Sequence, residues 1–253
     1  DDRSKFLRKS YLEECGKLNS FESADVIIGP TPFSKDDVKV NGEVLSCDEL
    51  IKSLENSSKV LYAGAISNNM KNKLKKASIK FFDVLNQEGV SILNAIPTAE
   101  GAISVAMNMT NFTIHKSNVL VMGYGNIGKI LSKMLYGIGA KVYCEARNKK
   151  DIAFIEAMGY NSINLQEINN YLGKMDIIFN TIPSLILDKE RLKLVKKECA
   201  IIDLASSPGG VDFPAAKELN LNTTWALALP TKVAPKTAAF YLKNVIDELI
   251  EKG

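Results

Sequence analysis

Residues 118–128 constrain this chain more than any other stretch: they read Asn-Val-Leu-Val-Met-Gly-Tyr-Gly-Asn-Ile-Gly. The apolar run Val119 to Met122 leads straight into Gly123, the pattern of a buried strand that ends at a glycine turn. Gly123, Gly125 and Gly128 fall at G-x-G-x-x-G spacing, and Ile130, Leu131, Met134 and Leu135 continue with helical periodicity. In such a strand–turn–helix, one glycine permits the tight turn and one lets a pyrophosphate approach the backbone. The third lets the helix pack on the strand. The helix N-terminus then faces the phosphates with free N–H groups and the positive end of its dipole. A glycine string alone is a weak signal. Flanked by its strand and its helix it predicts a dinucleotide site, lined by Gly123, Tyr124, Gly125, Asn126, Ile127 and Gly128.

Downstream, the pattern continues as a nucleotide-binding fold requires. Strands are expected at 141–145, 176–180, 200–204 and 223–228, with a helix at 151–158. In open α/β sheets ligands sit beyond the carboxyl ends of the strands, at the switch in strand order. That places Asn180, Thr181, Ile182, Pro183, Leu204, Ala205 and Pro230 near the cofactor. Upstream, a helix at 4–15, strands at 25–29, 59–63, 79–84 and 90–94, and helices at 47–54 (capped by Ser46) and 68–76 also alternate. Asn41-Gly42 marks a hairpin-type turn. Pro97 to Gly101 is expected to open a long apolar helix through Met109.

The fold class is therefore α/β: a two-domain dehydrogenase with a Rossmann NAD(P)-binding domain and a smaller α/β N-terminal domain. The expected division is 1–98 for the N-terminal domain, 99–115 for an interdomain helix and hinge, and 116–236 for the Rossmann domain. A last helix at 237–253 joins the first domain.

The length of 253 residues suits two domains. A formal charge of +3, without a dense Lys/Arg block, argues against nucleic acid. No unbroken apolar run approaches the roughly 20 residues of a membrane span. The cysteines, Cys15, Cys47, Cys144 and Cys199, are widely spaced with no C-x-x-C, so neither a metal site nor a disulfide framework is expected. A cytoplasmic protein is the simplest expectation.

NAD sites place an acid at the end of the second strand, about 20 residues past the glycines, to bind the ribose 2′-hydroxyl. Glu145 in that role would select NAD. If the acid position instead falls on Ala146, no carboxylate repels a 2′-phosphate. Arg147 can then hold it bidentately, with Asn148 and Lys149 beside it. NADP is favoured over NAD.

Several strings are more specific than the glycine loop. They are Asn94-Ala95-Ile96-Pro97-Thr98-Ala99-Glu100-Gly101, Phe112-Thr113-Ile114-His115, Asn180-Thr181-Ile182-Pro183-Ser184, Asp203-Leu204-Ala205-Ser206-Ser207-Pro208-Gly209-Gly210 and Val233-Ala234-Pro235-Lys236-Thr237-Ala238. Together, and in this order, they closely resemble the family of dipicolinate synthase A subunits, from about Asp25 onward. The resemblance implies an NADP-linked oxidoreductase of spore-forming bacteria, located in the mother-cell cytoplasm and acting at a branch of the lysine pathway. It implies the flavoprotein-like B subunit of dipicolinate synthase as partner, and dipicolinate made from a dihydro or hydroxytetrahydro precursor. Family members begin with an apolar strand and a Gly-Gly-Asp turn, so the first sheet of this chain is expected to be a strand short. A homo-oligomer is also possible on this reading.

Oxidation to a pyridine needs a hydride acceptor, a proton acceptor and a clamp for two carboxylates. Glu100, if buried, is the candidate general base, and Lys236 and Ser206 complete the catalytic candidates. Ser67, Asn68, Thr98 and Ser207 are candidates for substrate binding. Three of them have plainer alternatives. Thr98 and Glu100 would be ordinary capping residues at a helix start, and Lys236 a solvated cation. His115 reads as a hinge or packing residue, and Asp203 as the group that orients the 206–210 turn. Two rival classes are a dehydrogenase of the shikimate dehydrogenase or glutamyl-tRNA reductase type and a nucleotide-sensing module without turnover. The reductase type needs a nucleophilic cysteine, and Cys47 reads as a buried inert thiol.

Overall fold

The computed structural model describes residues 2–87 and 89–252. In chain order the first elements are α1 (Asp2–Cys15), β1 (Val26–Ile28), α2 (Cys47–Leu54), β2 (Val60–Ala63), α3 (Asn68–Lys76), β3 (Lys80–Asp83) and α4 (Val90–Met109). Then follow β4 (Asn118–Met122), α5 (Asn126–Ile138), β5 (Lys141–Glu145), α6 (Lys149–Ala157), β6 (Asn161–Ile163), α7 (Asn169–Leu172), β7 (Ile177–Asn180) and α8 (Lys189–Leu192). The last are β8 (Ala200–Asp203), α9 (Phe213–Glu218), β9 (Asn222–Trp225), α10 (Leu229–Val233) and α11 (Pro235–Glu251). The residues form two compact units, Asp1–Asn94 with Ala234–Gly253, and Ala95–Val233.

The first unit holds a three-stranded parallel sheet in the order β1-β2-β3. Two of its helices, α2 and α3, start where side chains replace missing backbone partners. Ser46 caps α2 by accepting the Glu49 N–H, and the Glu49 carboxylate accepts the Ser46 N–H, a complete capping box. Ser67 caps α3 through the Met70 N–H. Leu61, Met70 and Leu74 lie in one buried cluster of this unit, while Ala239, Leu242 and Ile246 of α11 meet Leu7, Tyr62 and Val84 in another.

The second unit holds a six-stranded parallel sheet in the order β6-β5-β4-β7-β8-β9. Counted from β4, the strands run third, second, first, fourth, fifth, sixth, so the order reverses at β4. The register aligns their carboxyl ends. Met122 pairs with Glu145 on one side and Asn180 on the other, Asn180 with Asp203, and Asp203 with Trp225. One row of strand ends therefore carries Glu145, Asn180 and Asp203 beside the glycine turn. Val119 and Val121 face the α5 side with Leu131, Leu135 and Cys144, while Leu120, Met122 and Ile178 face the other layer. A strand buried on both faces reads as the unbroken apolar run seen in the sequence.

Several expectations are corrected. Residues 90–94 are the first turns of α4, not a strand. Val90 and Ile92 mimic alternation over a short window, but buried Ala95, Ala99, Ala102, Ile103 and Ala106 continue at helical spacing. Pro97 is inside this helix, so Thr98 and Glu100 are not in a first turn and cannot cap it. The last strand ends at Trp225, and Leu229 and Pro230 begin the short helix α10. The short strand β6 has too little apolar pattern to be anticipated. By length and composition alone α4 could cross a membrane, which a search for unbroken apolar runs misses. Its alanines are buried against the sheet of the second unit, as in a core helix.

Candidate dinucleotide-binding site

Gly123 follows β4 with φ 88°, a left-handed conformation that disfavours side chains. Gly128 begins the close contact of α5 with β4: a Cβ there would fall 2.1 Å from the Gly123 carbonyl oxygen. Gly125 differs. Its φ of −79° is ordinary, and a Cβ would meet nothing within 4 Å. As N-cap it gives α5 no side-chain hydrogen bond. The absent side chain thus leaves an open cradle at a helix N-terminus, which fits a pyrophosphate.

The turn is held from both neighbouring strands. Glu145 Oε2 accepts the Gly123 N–H at 3.1 Å, and the residue is 1% exposed. Thr181 donates to Met122 O from its N–H and its hydroxyl, both at 2.9 Å. A Cβ on Gly123 would strike that hydroxyl at 2.5 Å.

At the ends of β7 and β8, Asn180 and Asp203 are fully buried and bind each other. Asn180 Nδ2 donates to Asp203 Oδ1 at 2.8 Å and to Ile182 O at 3.0 Å, while Asn180 Oδ1 accepts the Ile182 N–H at 3.2 Å. Asp203 also accepts the N–H groups of Ala205 (3.0 Å) and Gly210 (2.7 Å), so it does orient the 206–210 turn. The fit excludes a side chain at Gly210, whose Cβ would lie 2.3 Å from Asn180 Nδ2. The Trp225 indole N–H donates to Ala205 O at 2.8 Å and the ring stacks on Phe213. Leu204 and Ala205 are buried beneath this turn, while Pro183, Ser206 and Ser207 are exposed.

At the end of β5, Ala146 is buried on the α5 side and Arg147, Asn148 and Lys149 are exposed. Asn148 caps α6 by accepting the Asp151 N–H at 2.7 Å. Lys129 of α5 pairs with Asp151 at 3.5 Å and lies over the buried Tyr124 ring.

The structure thus gathers Gly123 to Gly128, Asn180 to Pro183 and Leu204 to Ser207 along one row of strand ends. Thr98 and Glu100 lie on α4, and Pro230 lies in α10, partly buried; Glu100 is exposed rather than buried. Ser67, Asn68 and Lys236 belong to the first unit. The Ser67 hydroxyl accepts the Met70 N–H and gives its single proton to the Asp37 carboxylate at 2.8 Å, leaving no donor for a substrate carboxylate. Asn68 and Lys236 are exposed at the starts of α3 and α11. His115 precedes β4, at the opposite end of that strand from the glycine turn, and its Nδ1 lies 3.1 Å from Ile138 O. Cys47, Cys144 and Cys199 are buried, and burial pushes the Cys144 and Cys199 thiols up to about 12. The Trp225 tie to Ala205 and the Gly123-binding role of Glu145 were not anticipated; the only trace of the latter in the sequence is a carboxylate at the end of the second strand.

Residues 96–210 match the family described as D-isomer specific 2-hydroxyacid dehydrogenase, NAD binding domain. Together with the sheet order and the glycine turn, this defines an NAD(P)-dependent oxidoreductase. The chain is 33% identical over 235 residues to the A subunit of dipicolinate synthase from Bacillus subtilis (strain 168), covering 91% of this chain and 79% of that protein. The solved structure of the A chain of dipicolinate synthase from Bacillus subtilis superposes with TM-score 0.88 at 30% identity, covering 100% of this chain and 93% of that one. That of the A subunit from Bacillus halodurans gives 0.84 at 32%, covering 92% and 81%. The chain belongs to the family of dipicolinate synthase A subunits.

Proposed function

We propose that this chain makes dipicolinate (pyridine-2,6-dicarboxylate), using NADP and working with the synthase's B subunit in the mother-cell cytoplasm of a spore-forming bacterium. The observation that carries this is the likeness, along nearly the whole chain, to the A subunit of dipicolinate synthase. In the proposed reaction, dihydrodipicolinate loses a hydride and a proton to become the aromatic ring. A hydroxytetrahydro precursor would first lose water. Bound NADP would accept the hydride.

The protein's own part follows from its residues. The cradle at Gly125 and the α5 N-terminus receive the pyrophosphate. Arg147 holds the 2′-phosphate, with Lys149 adding charge. Ser206 and Ser207, exposed on a turn fixed by Asp203, donate hydrogen bonds to a substrate carboxylate. Thr98 and the exposed Glu100 are proposed to bind substrate and to accept the proton. Asn68 is a further candidate for substrate binding, and Lys236 a catalytic candidate that supplies positive charge; both belong to the first unit.

Cofactor choice is tested at Arg147. Arg147→Asp is expected to weaken NADP(H) binding far more than NAD(H) binding. A hydrogen bond to a charged group is worth about 1.5–3 kcal/mol, so its loss means on the order of 10- to 150-fold. Repulsion by the new carboxylate adds to that. Equal weakening toward both cofactors would show that Arg147 does not read the 2′-phosphate.

The reaction is tested by generating the lysine-pathway precursor enzymatically and following pyridine dicarboxylate absorbance. The arms are the B subunit, this chain, and both together, each with NADP. Efficient formation is expected only from the mixture, since a positioned proton-transfer group contributes about 10²–10⁴-fold and this chain has a single histidine, placed before β4. Full activity from this chain alone removes the partner requirement. Dinucleotide binding without product in any arm favours a nucleotide-sensing module or another dehydrogenase.

A further inference from the structure

Glu145 is a carboxyl that neither phosphate binding nor substrate binding uses, yet it touches the glycine turn. Oε2 accepts the Gly123 N–H, while Oε1 is buried with no hydrogen-bond partner among the described residues. Two cations face it, and neither is spent on it. Arg147 is exposed, and Arg191 of α8 gives its guanidinium to Ile186 O at 2.7 Å and Asn169 Oδ1 at 3.3 Å. Across the sheet Glu145 pairs with Met122, and alternation along β5 puts it on the face of Tyr143; both belong to the apolar cluster of that layer.

An ionised carboxylate needs several donors when it leaves water; this one has a single backbone N–H. A neutral acid needs far less. It can accept the Gly123 N–H on its carbonyl oxygen and keep its proton on the other. We propose that Glu145 is protonated at neutral pH in the free protein and positions the glycine turn as a neutral acid, so that the phosphates of a dinucleotide meet no negative charge behind Gly123.

Burial pushes the Glu145 carboxyl up. The Gly123 hydrogen bond and the charges of Arg147 and Arg191 act against that without cancelling it. As pH rises through the raised value, Glu145 ionises, repels the pyrophosphate and weakens dinucleotide binding. Conversely, binding stabilises the protonated form and draws a proton from solution. The same proton explains how an acid can sit one residue from the ribose-reading position without imposing NAD. This inference rests on the glycine turn being the dinucleotide site. It holds for NAD and NADP alike, because both carry the pyrophosphate.

The test separates the two ideas. Glutamate side-chain carboxyls are labelled with ¹³C, and the dinucleotide-free protein is titrated by NMR. One resonance is expected to titrate well above the others and to vanish in Glu145→Gln. If every glutamate of the parent protein titrates in the ordinary carboxylate range, Glu145 is not a neutral acid. Calorimetric titration with NAD and with NADP, in buffers of different ionisation enthalpy, then counts protons. At a pH just above that of the high resonance, the parent protein is expected to take up more protons per dinucleotide than Glu145→Gln. An equal count overturns the linkage. The 2′-phosphate contributes to the NADP count in both proteins and to the NAD count in neither. If the variant does not fold, the parent's titration still decides the protonation state, and its proton count with NAD decides the linkage. If neither dinucleotide binds, the site assignment fails while the NMR result stands.

Discussion

Gly125→Ala is expected to melt within a few degrees of the parent protein and to lose dinucleotide affinity by on the order of 10- to 100-fold, about 1.4–2.8 kcal/mol. The backbone there has an ordinary φ, and the added methyl touches no protein atom. Replacing Gly by Ala as the α5 N-cap costs only about 0.5–1 kcal/mol. The methyl would instead occupy the space a pyrophosphate needs. Gly128→Ala should behave in the opposite way. Its Cβ would meet the Gly123 carbonyl, a backbone group, at 2.1 Å, so α5 must move off β4. Overpacking of this kind costs about 1–3 kcal/mol, or very roughly 2–12 °C at 2–4 °C per kcal/mol for a chain of this size. Thermal melts and titrations with NADPH check both. Parent-like affinity in Gly125→Ala would place the phosphates elsewhere. A parent-like melt for Gly128→Ala would mean the helix–strand contact yields at little cost.

Asp203→Ala should be the most damaging single change in the second unit. It strips acceptors from the Ala205 and Gly210 N–H groups and from Asn180 Nδ2. A buried donor left without a partner costs about 1–3 kcal/mol. Since the three share one network their losses do not simply add, and a total of about 3–5 kcal/mol is expected. Asp203→Asn keeps one acceptor oxygen and should fall between. Denaturant unfolding of the two variants measures this. If the proposed substrate role of Ser206 and Ser207 is right, product formation should fall by a larger factor than the loss of folded protein accounts for. A loss below 1 kcal/mol in Asp203→Ala would show that the turn holds itself without the carboxylate.

What the sequence made legible follows from where periodicity is strong. The strand 118–122, its glycine turn and its helix were readable because a strand buried on both faces, a left-handed turn and an apolar helix stripe leave unmistakable residue patterns. The cap at Ser46 was readable because capping is local, and the turn-orienting role of Asp203 followed from its place at a strand end. The start of α4 was not readable, because residues 90–94 fit both periods and Pro97 looked like a helix opening. The true position of Glu100 followed that error. The Ser67 hydroxyl looked free because its partner Asp37 lies 30 positions away in the chain. The grip of Glu145 on Gly123, across 22 positions, was hidden for the same reason. Sequence patterns report neighbours along an element, whereas hydrogen bonds between strand ends depend on register, which only the folded sheet reveals.

The tie between Trp225 and Ala205 has an optical consequence. Trp225 is the only tryptophan in the chain, and its indole N–H is fixed to a carbonyl in the turn after β8. Emission excited at the red edge of protein absorbance, where the tyrosines stay dark, therefore arises from one point at the carboxyl end of the sheet. Its colour follows the polarity and hydrogen bonding at that turn. Its intensity falls when a reduced nicotinamide, which absorbs where indole emits, comes within energy-transfer range. The molecule thus carries an unlabelled gauge at the strand ends proposed to hold the cofactor, and occupancy and turn rearrangement can be read from one spectrum in the native protein.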